Sequence, residues 1–372
     1  MQVRMVDLQR QHQQLAQELE SVVLETLRGG YYVMGQRHAQ FESEMADLCQ
    51  SKHAIGVNSG TDAIKLALRA IDIGPGDEVI TTPFTFVATI EAICLLGARP
   101  VFVDIDPETF NLDPNLMEAA ITPRTKAILP VDLYGQIADM KRIKEISDAR
   151  GLKVIEDAAQ SIGALHHDRP IGAFAHAATL SFFPTKNLGA AGDGGMVVTD
   201  DDEIADRIKS LRVHGTVGGT YYYNDIGYTS RLDEIQAAIL SVKLAKLKEW
   251  NERRRYHASL YRTLLANSGI ALPYVEPFNY HIYHQFTIRH PDRDGLKDWL
   301  KERGVDSAVY YPVPLHVQNA YRSLGYQPGQ FKRSEEAALQ VLSLPIHAQL
   351  TEDQITYAAQ QILEYAPSGA LV

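Results

Sequence analysis

The sequence predicts an α/β fold: a large domain on a mainly parallel seven-stranded sheet, followed by a small C-terminal α+β domain. Three observations predict it. Short strand-like runs alternate with amphipathic helical patterns between residues 53 and 199. A long amphipathic stretch, from about residue 232 to 266, then breaks the alternation. Beyond it, strand and helix patterns mix without the earlier regularity.

Apolar residues recur at helical spacing from Val6 to Leu27, and Gly29-Gly30 supplies a stop signal; a second helix is expected over 37–50. Strands are expected at 53–57 (HAIGV), 78–81 (EVIT), 100–104 (PVFVD), 126–131 (KAILPV), 153–156 (KVIE), 178–183 (ATLSFF) and 195–199 (GMVVT). Helical patterns at 61–71, 86–96, 114–121 and 139–149 separate most of them. Regular alternation of this kind implies crossover connections and parallel strands covered on both faces. The 232–266 stretch would run about 50 Å as one helix, long enough to join two domains. After it come strand-like 283–288, helical 294–303, strand-like 305–310, Pro-rich 312–314 and a closing helix from about Thr351. The expected division is residues 1–245 for an N-terminal segment and large domain, and 246–372 for the small one.

Composition narrows the class. The chain has 372 residues, 45% hydrophobic and 22% charged, as in a globular protein that stays in water. A net charge of -10 argues against a nucleic-acid binder. The densest basic cluster, Arg253-Arg254-Arg255, reads as a solvated or interface feature. Cys49 and Cys94 lie in apolar helical patterns and are expected as free thiols. The N-terminus lacks a signal-peptide core, and no apolar run approaches the roughly 20 residues that span a bilayer. A cytoplasmic protein with no membrane association is expected.

Three segments carry chemistry. Residues 58–63 (NSGTDA) form a small-residue turn between a strand and a helix, where free amides and the helix dipole favour an anion such as phosphate. A plain N-cap by Ser59 or Thr61 is the simpler reading of that segment alone. It is neither a Walker loop nor a dinucleotide turn. Residues 154–161 (VIEDAAQS) end an apolar strand in two carboxylates, and the carboxyl ends of strands are where open parallel sheets bind ligands. A carboxylate there needs a cationic partner, and a protonated pyridine nitrogen is one. Residues 179–189 (TLSFFPTKNLG) place Lys186 after a buried strand, with no charged neighbour. Desolvation lowers a lysine's pKa and makes it a carbonyl-trapping nucleophile. Phosphate cradle, acid and lysine together meet the needs of pyridoxal phosphate. No metal-ligand spacing is present, and two cysteines are too few for an iron–sulfur cluster.

The chain resembles the DegT/DnrJ/StrS-type sugar aminotransferases, of the aspartate-aminotransferase-like fold type I, nearly from end to end. The resemblance rests on 73–90 (IGPGDEVITTPFTFVATI), 134–139 (YGQIAD), 154–163 (VIEDAAQSIG), 181–195 (SFFPTKNLGAAGDGG) and 231–238 (RLDEIQAA). It implies that Lys186 binds the cofactor covalently and then moves the substrate proton. It implies that Asp157 pairs with the ring nitrogen, Gln160 meets the phenolic oxygen, and Phe86 stacks on the ring. Gly60, Thr61 and Ser181 would hold the phosphate. The resemblance also implies a homodimer in which residues 227–231 (GYTSR) complete the partner's site. Many members have Asn where this chain has Thr229, so that cofactor contact is shorter in reach here.

The same resemblance implies L-glutamate as amino donor, a nucleotide-linked keto sugar as acceptor, and the pyridoxamine form as the intermediate cofactor state. Residues 309–318 (VYYPVPLHVQ) resemble the loop facing the sugar, so Tyr310, Tyr311 and His316 are candidate substrate contacts, with loop packing as the alternative. Tyr221, Tyr222 and Tyr223 are candidates for a dimer interface or nucleotide groove. His214 and His284 read as structural histidines with a possible site role. Around the lysine, members acting at C4 often show His-x-x-Lys and Gly-Glu-Gly-Gly; Phe183-Pro184-Thr185-Lys186 and Gly192-Asp193-Gly194-Gly195 look more like members that aminate C3. The alternatives are a C4 aminotransferase and a non-catalytic regulator. A dehydrating relative is disfavoured, because that type replaces the lysine by histidine.

Overall fold

The computed structural model describes residues 1–218 and 221–365. Its main sheet has seven strands: β1 (His53–Val57), β2 (Glu78–Thr81), β3 (Arg99–Phe102), β4 (Thr125–Ile128), β5 (Lys153–Asp157), β6 (Ala177–Ser181) and β7 (Gly195–Thr199). Their spatial order is β1-β7-β6-β5-β4-β2-β3. β7 runs antiparallel to both neighbours and the other pairs are parallel. Nearly every strand position is buried, as expected of strands covered on both faces. One apolar cluster around Phe41, Phe182 and Leu240 covers one face, and another around Ile64, Leu68 and Ile208 covers the other.

The 232–266 stretch is one helix, Glu234–Leu264, capped by the Asp233 carboxylate on the Gln236 amide. It passes residue 245 without a break. Ala237, Leu240 and Leu247 pack in the sheet's cluster, whereas Ala258 and Tyr261 join a second core with Phe286, Leu300 and Leu344. Arg254, expected on a solvated face, is buried instead. Its guanidinium donates to the carbonyls of Tyr283 and His284, and of Ile346. Three carbonyls converge on one terminal nitrogen, Nη1, and give the buried cation acceptors there.

Three further differences have local causes. The expected single N-terminal helix is two, Leu8–Gln14 and Ala16–Gly29, broken at Leu15. The break lets Leu15 and Leu19 pack on Ile239 and Trp250 of the long helix. Residues 305–310 make only isolated bridges, Val3 to Val305 and Ala308 to Ser343. The strand paired with Phe286–Arg289 is Val341–Leu344, in antiparallel register. Its short apolar run directly follows a helix and lacks the turn residues that mark a strand start. Cys49 and Cys94 are free thiols, and burial pushes the Cys49 thiol up to about 12.

Candidate active site

The three chemical segments meet at one cavity of about 510 Å³, walled by Gly60, Thr61, Asp157, Ser181 and Lys186 among others. The cavity lies at the carboxyl ends of β5 and β6, as open parallel sheets place ligands.

The anion cradle begins at Ser59, whose hydroxyl caps the Gly60–Ala70 helix by accepting the Asp62 amide at 3.1 Å. The amides of Gly60 and Thr61 find no partner among the described residues. Two free first-turn amides at a helix N-terminus are a phosphate site. A Cβ on Gly60 would stand 2.7 Å from the Ser181 Cβ and 3.1 Å from its hydroxyl, so glycine is what lets Ser181 close the cradle.

β5 ends in Glu156 and Asp157, and strand alternation sends them to opposite faces. Asp157 faces the cavity. Its Oδ2 accepts from the Thr89 hydroxyl at 2.8 Å, and its Oδ1 from the Ala159 amide at 3.3 Å. Burial raises the Asp157 pKa, while these hydrogen bonds and the nearby Lys186 pull it down. Glu156 is sealed behind the sheet, where it accepts the Gly172 amide at 2.7 Å. Burial raises its carboxyl to about 7, and buried Asp132 beside it is also raised.

Lys186 follows β6 in a tight turn, its amide donating to the Phe183 carbonyl at 2.8 Å. Burial lowers its amine to about 8, and Asp157 opposes the shift. Phe86 is a cavity-wall aromatic left 54% exposed, unlike the fully buried Phe84 two residues earlier. Gln160 accepts the Tyr134 amide at 2.8 Å and donates to the Tyr311 hydroxyl at 3.3 Å. Tyr310 and Tyr311 both line the cavity.

His316 is the departure from the sequence reading. It is buried off the cavity wall, with Nε2 3.0 Å from Glu335 and its ring among Phe102 and Phe331. Loop packing accounts for it. Thr229 lies outside this chain's own cavity, exposed, with its hydroxyl 3.1 Å from Nε2 of His214. Sequence reasoning passed over Thr85 and Thr89, whose signal was two hydroxyls one helical turn apart in an apolar segment. It also left Asn187 and Asn251 unremarked, and treated His284 as structural; His284 lines the cavity.

The arrangement fits pyridoxal phosphate: an amine depressed toward neutrality, a buried carboxylate for a ring nitrogen, and unpartnered amides for a phosphate. Comparison with known proteins decides the family. The DegT/DnrJ/EryC1/StrS aminotransferase family model matches residues 13–363. The chain belongs to this family. A Geobacillus stearothermophilus protein named "Pleiotropic regulatory protein" is 50% identical, with 98% of this chain and 99% of the relative covered. The dTDP-3-amino-3,4,6-trideoxy-alpha-D-glucose transaminase of Streptomyces venezuelae is 44% identical, with 98% and 96% covered. Among solved structures, Streptomyces venezuelae DesV in complex with a ketimine intermediate superposes with a TM-score of 0.96 at 43% identity, with 98% and 99% covered. The Bacillus subtilis protein ntda with bound pyridoxamine phosphate gives 0.88 at 35% identity, with 94% and 82% covered. The fold is therefore aspartate-aminotransferase-like, fold type I, and this family member is a pyridoxal-phosphate-dependent transaminase.

Proposed function

We propose that this aminotransferase moves the amino group of L-glutamate to C3 of a nucleotide-linked keto-hexose, a 3-keto-6-deoxyhexose or 3-keto-uronic acid on dTDP or UDP. The observation that carries the catalytic part is Lys186 and Asp157 on one cavity with the Gly60–Thr61 cradle. The C3 assignment is supported by the segment around Lys186 and by relatives named for 3-amino and 3-oxo sugars.

When bound, pyridoxal phosphate supplies an electron sink for the carbon that loses its proton. Asp157 would hold the ring nitrogen protonated, and Gly60, Thr61 and Ser181 would take the phosphate. Phe86 would cover the ring and Gln160 the phenolic oxygen. Lys186 would hold the cofactor and, once free, take up and return the proton at Nζ, in a ping-pong exchange. Tyr310 and Tyr311 would face the sugar.

The reading includes a homodimer and a division into two domains near residue 245. Tyr221 (81% exposed), Tyr222 and Ile226 (88% exposed) present an apolar surface beside Thr229 that suits a second copy. Thr229 would then approach the partner's phosphate, provided its hydroxyl leaves His214. No helix among the described residues is long and apolar enough to cross a membrane, and we place the protein in the cytoplasm.

The test is a half-reaction screen. The pyridoxamine form is mixed with 3-keto and 4-keto sugars on different nucleotides, and return of the cofactor's absorbance is followed. Return with a 4-keto sugar alone assigns C4 instead. One observation favours a second reading, the relative named as a regulatory protein. A protein that binds the cofactor but shows no glutamate half-reaction would support it.

A further inference from the structure

A chain of side-chain amides fixes the state of one histidine on the cavity. Asn251 sits in the long helix and donates its Nδ2 to the Ile162 carbonyl at 3.1 Å. A carbonyl only accepts, so the Asn251 amide has one orientation, with Oδ1 free to accept. Asn187, directly after Lys186, donates Nδ2 to that oxygen at 2.8 Å. Asn187 Oδ1 must then be an acceptor, and 3.0 Å from it stands Nδ1 of His284. Nδ1 therefore carries hydrogen. A neutral imidazole protonated at Nδ1 presents a bare lone pair at Nε2.

The backbone holds this arrangement tightly. The Gln285 amide donates to the Tyr134 carbonyl at 3.1 Å, and the Ile282 amide to the Gly135 carbonyl at 3.0 Å. Gly135 has φ +101, and a Cβ there would stand 2.7 Å from the His284 amide nitrogen. A Cβ on Gly163 would stand 2.8 Å from the Asn251 Nδ2. His284 Nε2 makes no hydrogen bond among the described residues and is not sealed in protein. It opens on the cavity that Lys186 lines.

We propose that His284 is a positioning residue: its Nε2 lone pair accepts a hydrogen from the Lys186 amine whenever that amine is free, with Asn187 and Asn251 holding the tautomer. A freed lysine in a desolvated cavity needs an acceptor. Asp157 and Asp193 are the carboxylates lining this cavity, and the ring nitrogen would engage Asp157. A neutral acceptor serves both protonation states of the amine without adding charge. The groups facing His284 keep it neutral: burial lowers its pKa well below 6.5, and Lys186 and Arg254 lower it further. Tyr310 and Tyr311, raised by burial, stay as neutral phenols. Asn187→Asp would draw a proton onto the imidazole, turn Nε2 into a donor and set a second cation beside Lys186.

The inference rests on the Lys186 site and not on the identity of the sugar. Its first test is spectroscopic. The pyridoxamine phosphate form is labelled with ¹⁵N-histidine, and the His284 signals are identified by their loss in His284→Gln. One protonated nitrogen, Nδ1, and one bare nitrogen, Nε2, are expected across neutral pH, with the Nε2 signal moving in Lys186→Ala. An Nε2–H tautomer or an imidazolium would overturn the proposal.

The second test follows the glutamate half-reaction against pH. Losing the acceptor destabilises the lysine ammonium, so His284→Phe should move the pH midpoint lower and slow the rate constant by roughly ten- to a hundredfold. Glutamate affinity should change little, and His284→Gln, which keeps an acceptor, should recover much of the rate. Asn187→Asp, a milder change should His284→Phe not fold, should also lower the midpoint and show an imidazolium. An unchanged midpoint in both variants would overturn the proposal. No sugar takes part in this half-reaction, so failure of the sugar assignment leaves the result intact.

Discussion

Thr89 donates its hydroxyl to Asp157 at 2.8 Å, and the Thr85 hydroxyl stands 3.1 Å from that of Thr89. The pair ties the helix after β2 to the carboxylate at the end of β5. The hydrogen bond opposes the burial that raises Asp157 and so favours the charged carboxylate that a ring nitrogen would pair with. Thr89→Val keeps the shape and removes the donor. A hydrogen bond to a charged group contributes about 1.5–3 kcal/mol, so cofactor retention should weaken by roughly ten- to a hundredfold. Equilibrium dialysis of the holoenzyme checks it; unchanged retention would mean that Ala159 alone suffices.

The Lys186 amine, lowered to about 8 by burial, sets a pH dependence for loading the cofactor-free protein. Only the neutral amine attacks an aldehyde. The rate of covalent capture should rise with pH through about 8 and level off above it. An unperturbed lysine would still be rising near 10. Stopped-flow absorbance reads the midpoint directly, and Lys186→Ala should abolish the signal while leaving the far-UV spectrum intact.

What the sequence showed and what it hid divide along one line. Strands β1 to β7 were legible because each is an apolar run between turn signals, and Lys186, Asp157 and Gly60-Thr61 because each sits at such a boundary. Which of Glu156 and Asp157 faces the cavity follows from β5's register, which the sequence alone does not orient. Arg254 and His316 looked like surface and site residues, since their burial depends on carbonyls and aromatics distant in sequence. Asn187, Asn251 and His284 meet only because the long helix, the lysine turn and residues 282–285 converge. That convergence leaves no local pattern.

Gly60→Ala tests the cradle. The added Cβ would stand 2.7 Å from the Ser181 Cβ, below any ordinary contact, so the strand end or the helix start must shift. The fold should survive with a modestly lowered melting temperature, while phosphate affinity of the cofactor-free protein falls by roughly tenfold or more, as expected when one charge-assisted hydrogen bond is lost. Isothermal titration with pyridoxal phosphate, compared with pyridoxal, separates the phosphate's share; equal losses for both would place the damage elsewhere.

The buried Glu156 next to Asp132 gives a stability signature distinct from catalysis. Its carboxyl is raised to about 7 in the folded chain, against 4.5 as the ordinary value. Between those values the folded state binds more protons than the unfolded one, so this group's contribution to stability falls as pH rises through that window. Above about 7 the full penalty of a charged, buried carboxylate beside Asp132 is present. Glu156→Gln keeps an acceptor for the Gly172 amide and offers Asp132 a donor. The variant should melt at least about 2 °C higher than the parent at pH 8, with the gap closing toward pH 5. Calorimetric scans across that range check it. A gap that stays constant with pH would show that Glu156 is ionised throughout and paired with an unrecognised donor.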